Sequence, residues 1–122
     1  KLSDIKFPFK PDKVCVDSLS ALSIAFDGQE TYRIYIKELF EMLSNLQAVS
    51  FVISETEQIP KIYSKTGTEE FLADGVIVLY NLLTGEKREN GLEILKLRSG
   101  KHFKSMTRYE ITDKGIQFIQ KK

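Results

Sequence analysis

Between Glu30 and Leu46 the apolar residues Tyr32, Ile36, Leu39, Phe40, Leu43 and Leu46 recur at three- and four-residue spacing, while Arg33, Lys37, Glu38 and Glu41 fall on other faces. That period predicts one amphipathic helix. Asp27, with Glu30 three residues on, offers it a capping-box-like start. Short apolar-rich, β-branched runs flank the helix at Val14–Val16 and Val49–Ile53. Such runs read as strands covered on both faces, and strand, helix, strand in that order predicts a right-handed parallel crossover. Ser20 to Ile24 adds a short helical turn between the first strand and the long helix.

Beyond the second strand the pattern changes. Thr56 to Thr68 carries Pro60 and Gly67 without periodicity and is expected to be a mobile loop, and Glu69 to Asp74 one helical turn. Gly75 opens a strand through Tyr80, and the turn-forming stretch Thr84 to Gly91 separates it from Leu92–Leu97, predicting a hairpin. Met106–Ile111 and Ile116–Ile119 form two more strands around the turn Thr112-Asp113-Lys114-Gly115. The expected fold class is therefore α/β, with parallel strands and a crossover helix followed by antiparallel hairpins.

Size and composition narrow the picture. With 122 residues, 42% of them hydrophobic, there is material for one core and not two, so residues 1–122 are expected to form one domain or part of one. Eighteen Lys and Arg against seventeen Asp and Glu leave a net charge of +1, which gives no reason to expect polyanion binding by the whole molecule. One cysteine and one histidine rule out a disulfide framework and a Cys/His zinc cluster. Cys15, inside the first apolar run, is expected to be a small buried hydrophobe. No apolar stretch approaches the roughly 20 residues of a membrane-spanning helix, and no signal-peptide hydrophobic region follows Lys1, so the expectation is a cytoplasmic protein with no membrane partner.

Candidate chemistry gathers where strands end. Asp17 closes the first strand, at the edge of an open α/β sheet where ligands collect, and Ser18 follows it. A carboxylate beside a hydroxyl suits a magnesium ion held mainly through water; an Asp in this place equally serves as the N-cap of the next helix. Ser54-Glu55 ends the next strand at the same edge, facing the same ligand or simply beginning a loop. Alternation puts Lys96 and Arg98 on one face of a strand, about 6 to 7 Å apart. Two cations so placed can grip a polyphosphate, or stand on a solvated sheet face. His102 can orient a phosphate oxygen or be a surface residue.

The order of these pieces resembles a known family. Lys13-Val14-Cys15-Val16-Asp17-Ser18-Leu19-Ser20-Ala21-Leu22 resembles the Walker B segment of KaiC-like members of the RecA and RadA superfamily. Phe51-Val52-Ile53-Ser54-Glu55, Gly67 to Ile77, Ile94-Leu95-Lys96-Leu97-Arg98 through His102, and Tyr109 to Ile116 follow in the family's order. Each fragment is a weak motif, and the specificity lies in five of them in sequence from Lys13 onward. The resemblance implies the C-terminal part of a RecA-like three-layer ATPase core. It implies a magnesium role for Asp17, through water, and a nucleotide-facing role for Ser18, Ser54, Glu55 and His102. Lys96 and Arg98 would reach the nucleotide of an adjacent subunit in a homo-oligomeric, hexameric ring. Where the family usually has Gly-Thr after the Arg, this chain has Ser99-Gly100, which bears on the loop tip and on His102.

Nothing in the sequence matches G-x-x-x-x-G-K-[ST], and the family's catalytic acid, which precedes Walker B, is missing too. ATP and Mg²⁺ are thus expected in the full-length protein, with no tight binding to the 122 residues alone. A fragment of a longer protein and the product of a split gene both fit. Two other functions stand beside the ATPase subunit: a RadA-like recombinase paralogue whose Thr56–Gly67 segment, with Lys61 and Lys65, touches DNA, and a non-catalytic interaction module.

Overall fold

The computed structural model describes residues 2–56 and 62–119. Its strands and helices run β1 (Lys13–Asp17), α1 (Leu19–Ser23), α2 (Gln29–Asn45), β2 (Val49–Ile53), α3 (Thr68–Leu72), β3 (Gly75–Thr84), β4 (Lys87–Leu97), β5 (Thr107–Thr112) and β6 (Gly115–Ile119), after a 3₁₀ turn at Leu2–Asp4. Two compact units result, Lys1–Ala73 and Asp74–Lys122. Pro60 and Lys61 of the expected loop lie outside the described residues.

In the first unit β1 and β2 pair in parallel, with Lys13 opposite Val49 and Asp17 opposite Ile53. The crossover through α1 and α2 is the one the periodicity predicts. Tyr32, Ile36, Leu39 and Leu43 of the α2 stripe are buried, join Leu19, and pack with Val14, Val16 and Val52. A stripe of this kind, rather than local propensity, is what stabilises a helix of 17 residues. The capping box does not form: Gly28 is the N-cap, at φ 98°, with no side-chain hydrogen bond to the helix.

The expectation that β1 and β2 are covered on both faces is not met among the described residues. Alternation sends Val14, Val16 and Val52 to the α2 side and Cys15 and Phe51 to the other. Val49 and Phe51 are each 58% exposed and Ile53 43%. Cys15 is therefore exposed, not buried as its apolar neighbours suggest, because it pairs with Phe51 on the face away from α2.

The second unit is a four-stranded antiparallel meander in the order β3-β4-β5-β6. Its first hairpin is longer than the sequence pattern indicates: the strands extend to Thr84 and from Lys87, and only Gly85-Glu86 turn, with Gly85 at φ 63°. Asn90, read as part of the turn region, instead faces Asn81 in the ladder, and the two are joined by a 2.9 Å side-chain hydrogen bond. The register slips between Val76 and Ile77, so that Val76 faces Lys96 while Ile77 faces Ile94 and Leu95 is left over as a bulge. Gly91 is buried where Met106 crosses β4; a Cβ there would stand 2.5 Å from its sulfur.

Phe51, Ile53, Ile77, Leu79, Ile111 and Ile116 leave broad apolar sheet surface in water. Surfaces of this kind associate. The isolated 122-residue chain should self-associate at high concentration, and Phe51→Glu should shift it toward smaller species with an unchanged far-ultraviolet circular dichroism spectrum. Light scattering across a concentration series checks this; a wild-type chain that stays monomeric would refute it.

Candidate functional site

The parallel register brings four candidate residues to one edge. Asp17 and Ile53 are partners at the carboxyl ends of β1 and β2, so Asp17-Ser18 and Ser54-Glu55 leave the sheet side by side. The Asp17–Ser18 peptide bond is cis.

Each of the four has a distinct environment. Ser18 is buried and caps α1, its Oγ accepting from the Ala21 amide at 3.2 Å. The cap role that competed for Asp17 is thus filled by its neighbour, and the Asp17 carboxylate stays exposed at the strand end. The Ser54 hydroxyl oxygen is buried with no hydrogen-bond partner among the described residues. The Glu55 side chain is exposed, while its amide donates to Ser20 Oγ at 2.8 Å and ties the exit of β2 to α1.

Lys96, Arg98 and His102 belong to the second unit. Lys96 faces Val76, one pair before the β3–β4 ladder ends at Gly75–Leu97. Arg98, just past β4, is held twice by Asp74: its amide donates to the Asp74 carbonyl at 2.7 Å, and its Nη1 meets Asp74 Oδ1 at 2.9 Å. Both side chains of that ion pair are more than half exposed, so it steers the guanidinium without contributing much stability. His102 is half-buried, with Nδ1 3.2 Å from the Phe103 carbonyl oxygen. Ser99 has φ 61°, a left-handed conformation that glycine adopts freely, at the place where the family usually has glycine.

Sequence reading missed a buried polar cluster. Tyr32 was legible only as an apolar position of the helix, and Glu69 only as part of a helical turn. In the structure Glu69 is buried, and its carboxylate accepts from Tyr32 Oη at 2.9 Å, Ser64 Oγ at 2.7 Å and Thr66 Oγ1 at 2.9 Å. Ser64 Oγ also meets Glu70, which accepts from the Tyr63 amide. The available signal was the tyrosine: a buried phenol needs a partner for its hydroxyl, and an apolar stripe supplies none.

These contacts shift two ionisations. Burial alone would raise the Glu69 carboxyl, yet hydrogen bonds from Ser64, its own amide, Tyr32 and Thr66 outweigh burial and hold it below its usual range. Tyr32 is pushed well above its ordinary value by burial first, then by its hydrogen bond to Glu69 and that group's charge. Among the described residues no group of three or more His, Cys, Asp or Glu side chains is placed to hold a metal ion, and no helix is long and apolar enough to cross a membrane.

Comparison with known proteins places this architecture. A protein-family model described as "ATPase: KaiC" matches residues 1–122. The chain belongs to the KaiC family of RecA-like ATPases. It is 34% identical over 114 residues to the circadian clock oscillator protein KaiC of Synechococcus elongatus, and 36% identical over 111 residues to KaiC 1 of Synechocystis. Each match takes in 91% of this chain and 21% of the relative, so the chain spans about a fifth of the length of these KaiC proteins. The crystal structure of the KaiC-like protein PH0186 from Pyrococcus horikoshii OT3 superposes with a TM-score of 0.77 at 24% identity, covering 89% of this chain and 49% of that one. The likeness in structure bears out the α/β class and the RecA-like order of parallel strands followed by antiparallel hairpins.

The cluster around Glu69 predicts a stability profile for this KaiC-family chain. A depressed folded-state carboxyl contributes stability that is present above its unfolded value of about 4.3 and lost as pH falls through the lower folded value. The raised phenol works in the opposite direction, with stability fully present below about pH 10 and lost as pH rises further. Urea denaturation should therefore show losses at both extremes. Tyr32→Phe should remove the alkaline loss and cost about 1–3 kcal/mol at neutral pH, because a buried carboxylate loses a donor.

Proposed function

We propose that this chain supplies the magnesium-binding edge and the subunit-bridging cations of a KaiC-like ATPase that binds ATP and Mg²⁺ and works as a homo-oligomeric ring. The observation that carries this reading is the exposed Asp17 carboxylate at the carboxyl end of a parallel strand, its cap role taken by Ser18 and its neighbour the buried Ser54 hydroxyl, which has no hydrogen-bond partner among the described residues.

The donor chemistry fits. Asp17 offers a hard anionic oxygen, and Ser18 and Ser54 lie beside it on the strand ends. Mg²⁺ uses one or two carboxylates together with phosphate oxygens and water, so a lone carboxylate here suits it and a cage of three ligands is not needed. When bound, the metal would neutralise charge on the phosphates. The residues of this chain position it through Asp17, with Glu55 available at the same edge. Lys96 and Arg98 meet a different need: an always-charged fork and a flexible ammonium beside it can follow charge developing on the γ-phosphoryl group of a neighbour's nucleotide. Asp74 holds the Arg98 fork at the strand end and can release it, since the pair is exposed.

The DNA-contacting reading has less support. The Tyr63 amide and the Ser64 hydroxyl bond to the Glu70 and Glu69 carboxylates, whose charge opposes a phosphate backbone, and Lys61 lies outside the described residues.

The sequence has no phosphate-cradling loop, so the isolated 122 residues should give no magnesium-dependent ATP turnover above a buffer blank. In the longer protein, Lys96→Ala and Arg98→Ala should each lower turnover by on the order of 10³-fold while nucleotide binding to the same subunit stays nearly intact. Mixing Asp17→Ala with Arg98→Ala subunits tests the geometry. Recovered activity means that the two residues meet across an interface. Mixed assemblies no more active than either variant would place Arg98 in its own subunit's site or in a structural role.

A further inference from the structure

The two strand-end pairs are joined by more than their sheet. The Glu55 amide is bonded to Ser20 of α1, and the next residue, Thr56, donates its hydroxyl to the Ile62 carbonyl at 3.2 Å. That contact ties the start of the segment after β2 to its end. From there the Tyr63 amide and the Ser64 hydroxyl reach the Glu70 and Glu69 carboxylates. Tyr32 Oη donates to Glu69 and lies 3.5 Å from the carbonyl of Leu19, the residue between Ser18 and Ser20. The path closes on itself, a ring of contacts that starts and ends at the α1 segment carrying Asp17-Ser18 on its N-terminal side.

The middle of this ring is dry. Tyr32 is 2% exposed, Glu69 5% and Ser64 6%, so water does not replace a lost partner. Hydrogen bonds in such surroundings strengthen one another, and a half-satisfied network costs more than none. Phenylalanine at position 32 would fill the same space beside Leu19 but leave the buried Glu69 carboxylate one donor short. Glu69 reaches no strand end itself, and whatever it does there it does through Tyr32 on one side and through Ser64 on the other.

We propose that Tyr32 and Glu69 are positioning residues for the nucleotide edge: they lock the segment after β2 against α1, so that Asp17-Ser18 and Ser54-Glu55 keep one mutual placement. This rests on the magnesium-edge reading of Asp17, and it adds a requirement located away from the ligand. The lock holds both strand ends together, so a break anywhere in the ring is felt on its far side.

The test uses the longer protein carrying Glu69→Gln, Tyr32→Phe or Ser20→Ala. A mild core substitution, Leu43→Val, controls for lost stability. Hydrogen exchange is followed at the Glu55 and Tyr63 amides, and the magnesium concentration for half-maximal ATP turnover is measured alongside. Glu69→Gln and Tyr32→Phe should speed exchange at Glu55 by about threefold or more, and Ser20→Ala should do the same at Tyr63, with Leu43→Val moving neither. The magnesium requirement should rise several-fold and turnover fall on the order of 10-fold in the two cluster variants. If Glu69→Gln loosens Tyr63 and leaves Glu55 as in the wild type, the cluster is local and the proposal fails; an unchanged magnesium requirement in both cluster variants also overturns it. If the wild-type protein has no turnover sensitive to Asp17→Ala, the ATPase reading fails instead, and the exchange measurements alone decide whether the ring couples the strand ends.

Discussion

Burial of the α2 stripe against one face of β1 and β2 is the contact on which the first unit depends. Tyr32, Ile36, Leu39 and Leu43 leave solvent together with Leu19, and Val14, Val16 and Val52 complete the cluster. Because side chains alternate along a strand, burying those valines fixes which residues face the other way. The parallel register, with Asp17 opposite Ile53, sets the side-by-side exit of Asp17-Ser18 and Ser54-Glu55. The candidate chemistry is thus set by apolar packing on the far side of the sheet.

At the edge itself, neighbouring residues divide the structural work between them. A helix start needs an acceptor for its first amides, and Ser18 provides it, while the adjacent Asp17 carboxylate stays exposed. The β2 exit needs its amide satisfied, and Ser20 provides that. In the second unit a comparable economy is seen at Asp74, which receives both the amide and the guanidinium of Arg98 and so sets the end of β4 and the direction of its cation with one residue.

Much of the fold was legible because it rests on period. The α2 stripe, the parallel crossover and the antiparallel C-terminal part all follow from spacing. The errors share a cause: each needed knowledge of what lies across a strand or a turn. Cys15 sits among valines, yet its exposure depends on its partner Phe51 and on which side α2 covers. Asn90 has turn-forming character, but in the ladder it faces Asn81 and accepts from its side-chain amide, and the true turn is Gly85-Glu86. The bulge at Leu95 has no one-dimensional sign. The Glu69 cluster was invisible because its members are far apart in sequence and each alone has an ordinary local reading.

The strand order carries a consequence for how the chain comes to be folded. In β3-β4-β5-β6 every neighbour in space is also a neighbour in sequence, joined by a turn or a short connection. The β1–β2 pair forms only after all of α1 and α2 has been traversed. Closing a long loop must precede the contacts that reward it, so low contact order favours the meander and penalises the parallel pair. The C-terminal strands therefore gain structure early, before the edge that carries Asp17 exists. On the ribosome the order of synthesis runs the other way: β1 and β2 are made before β3–β6, so the strands that close most readily are made after those that end at Asp17 and Ile53.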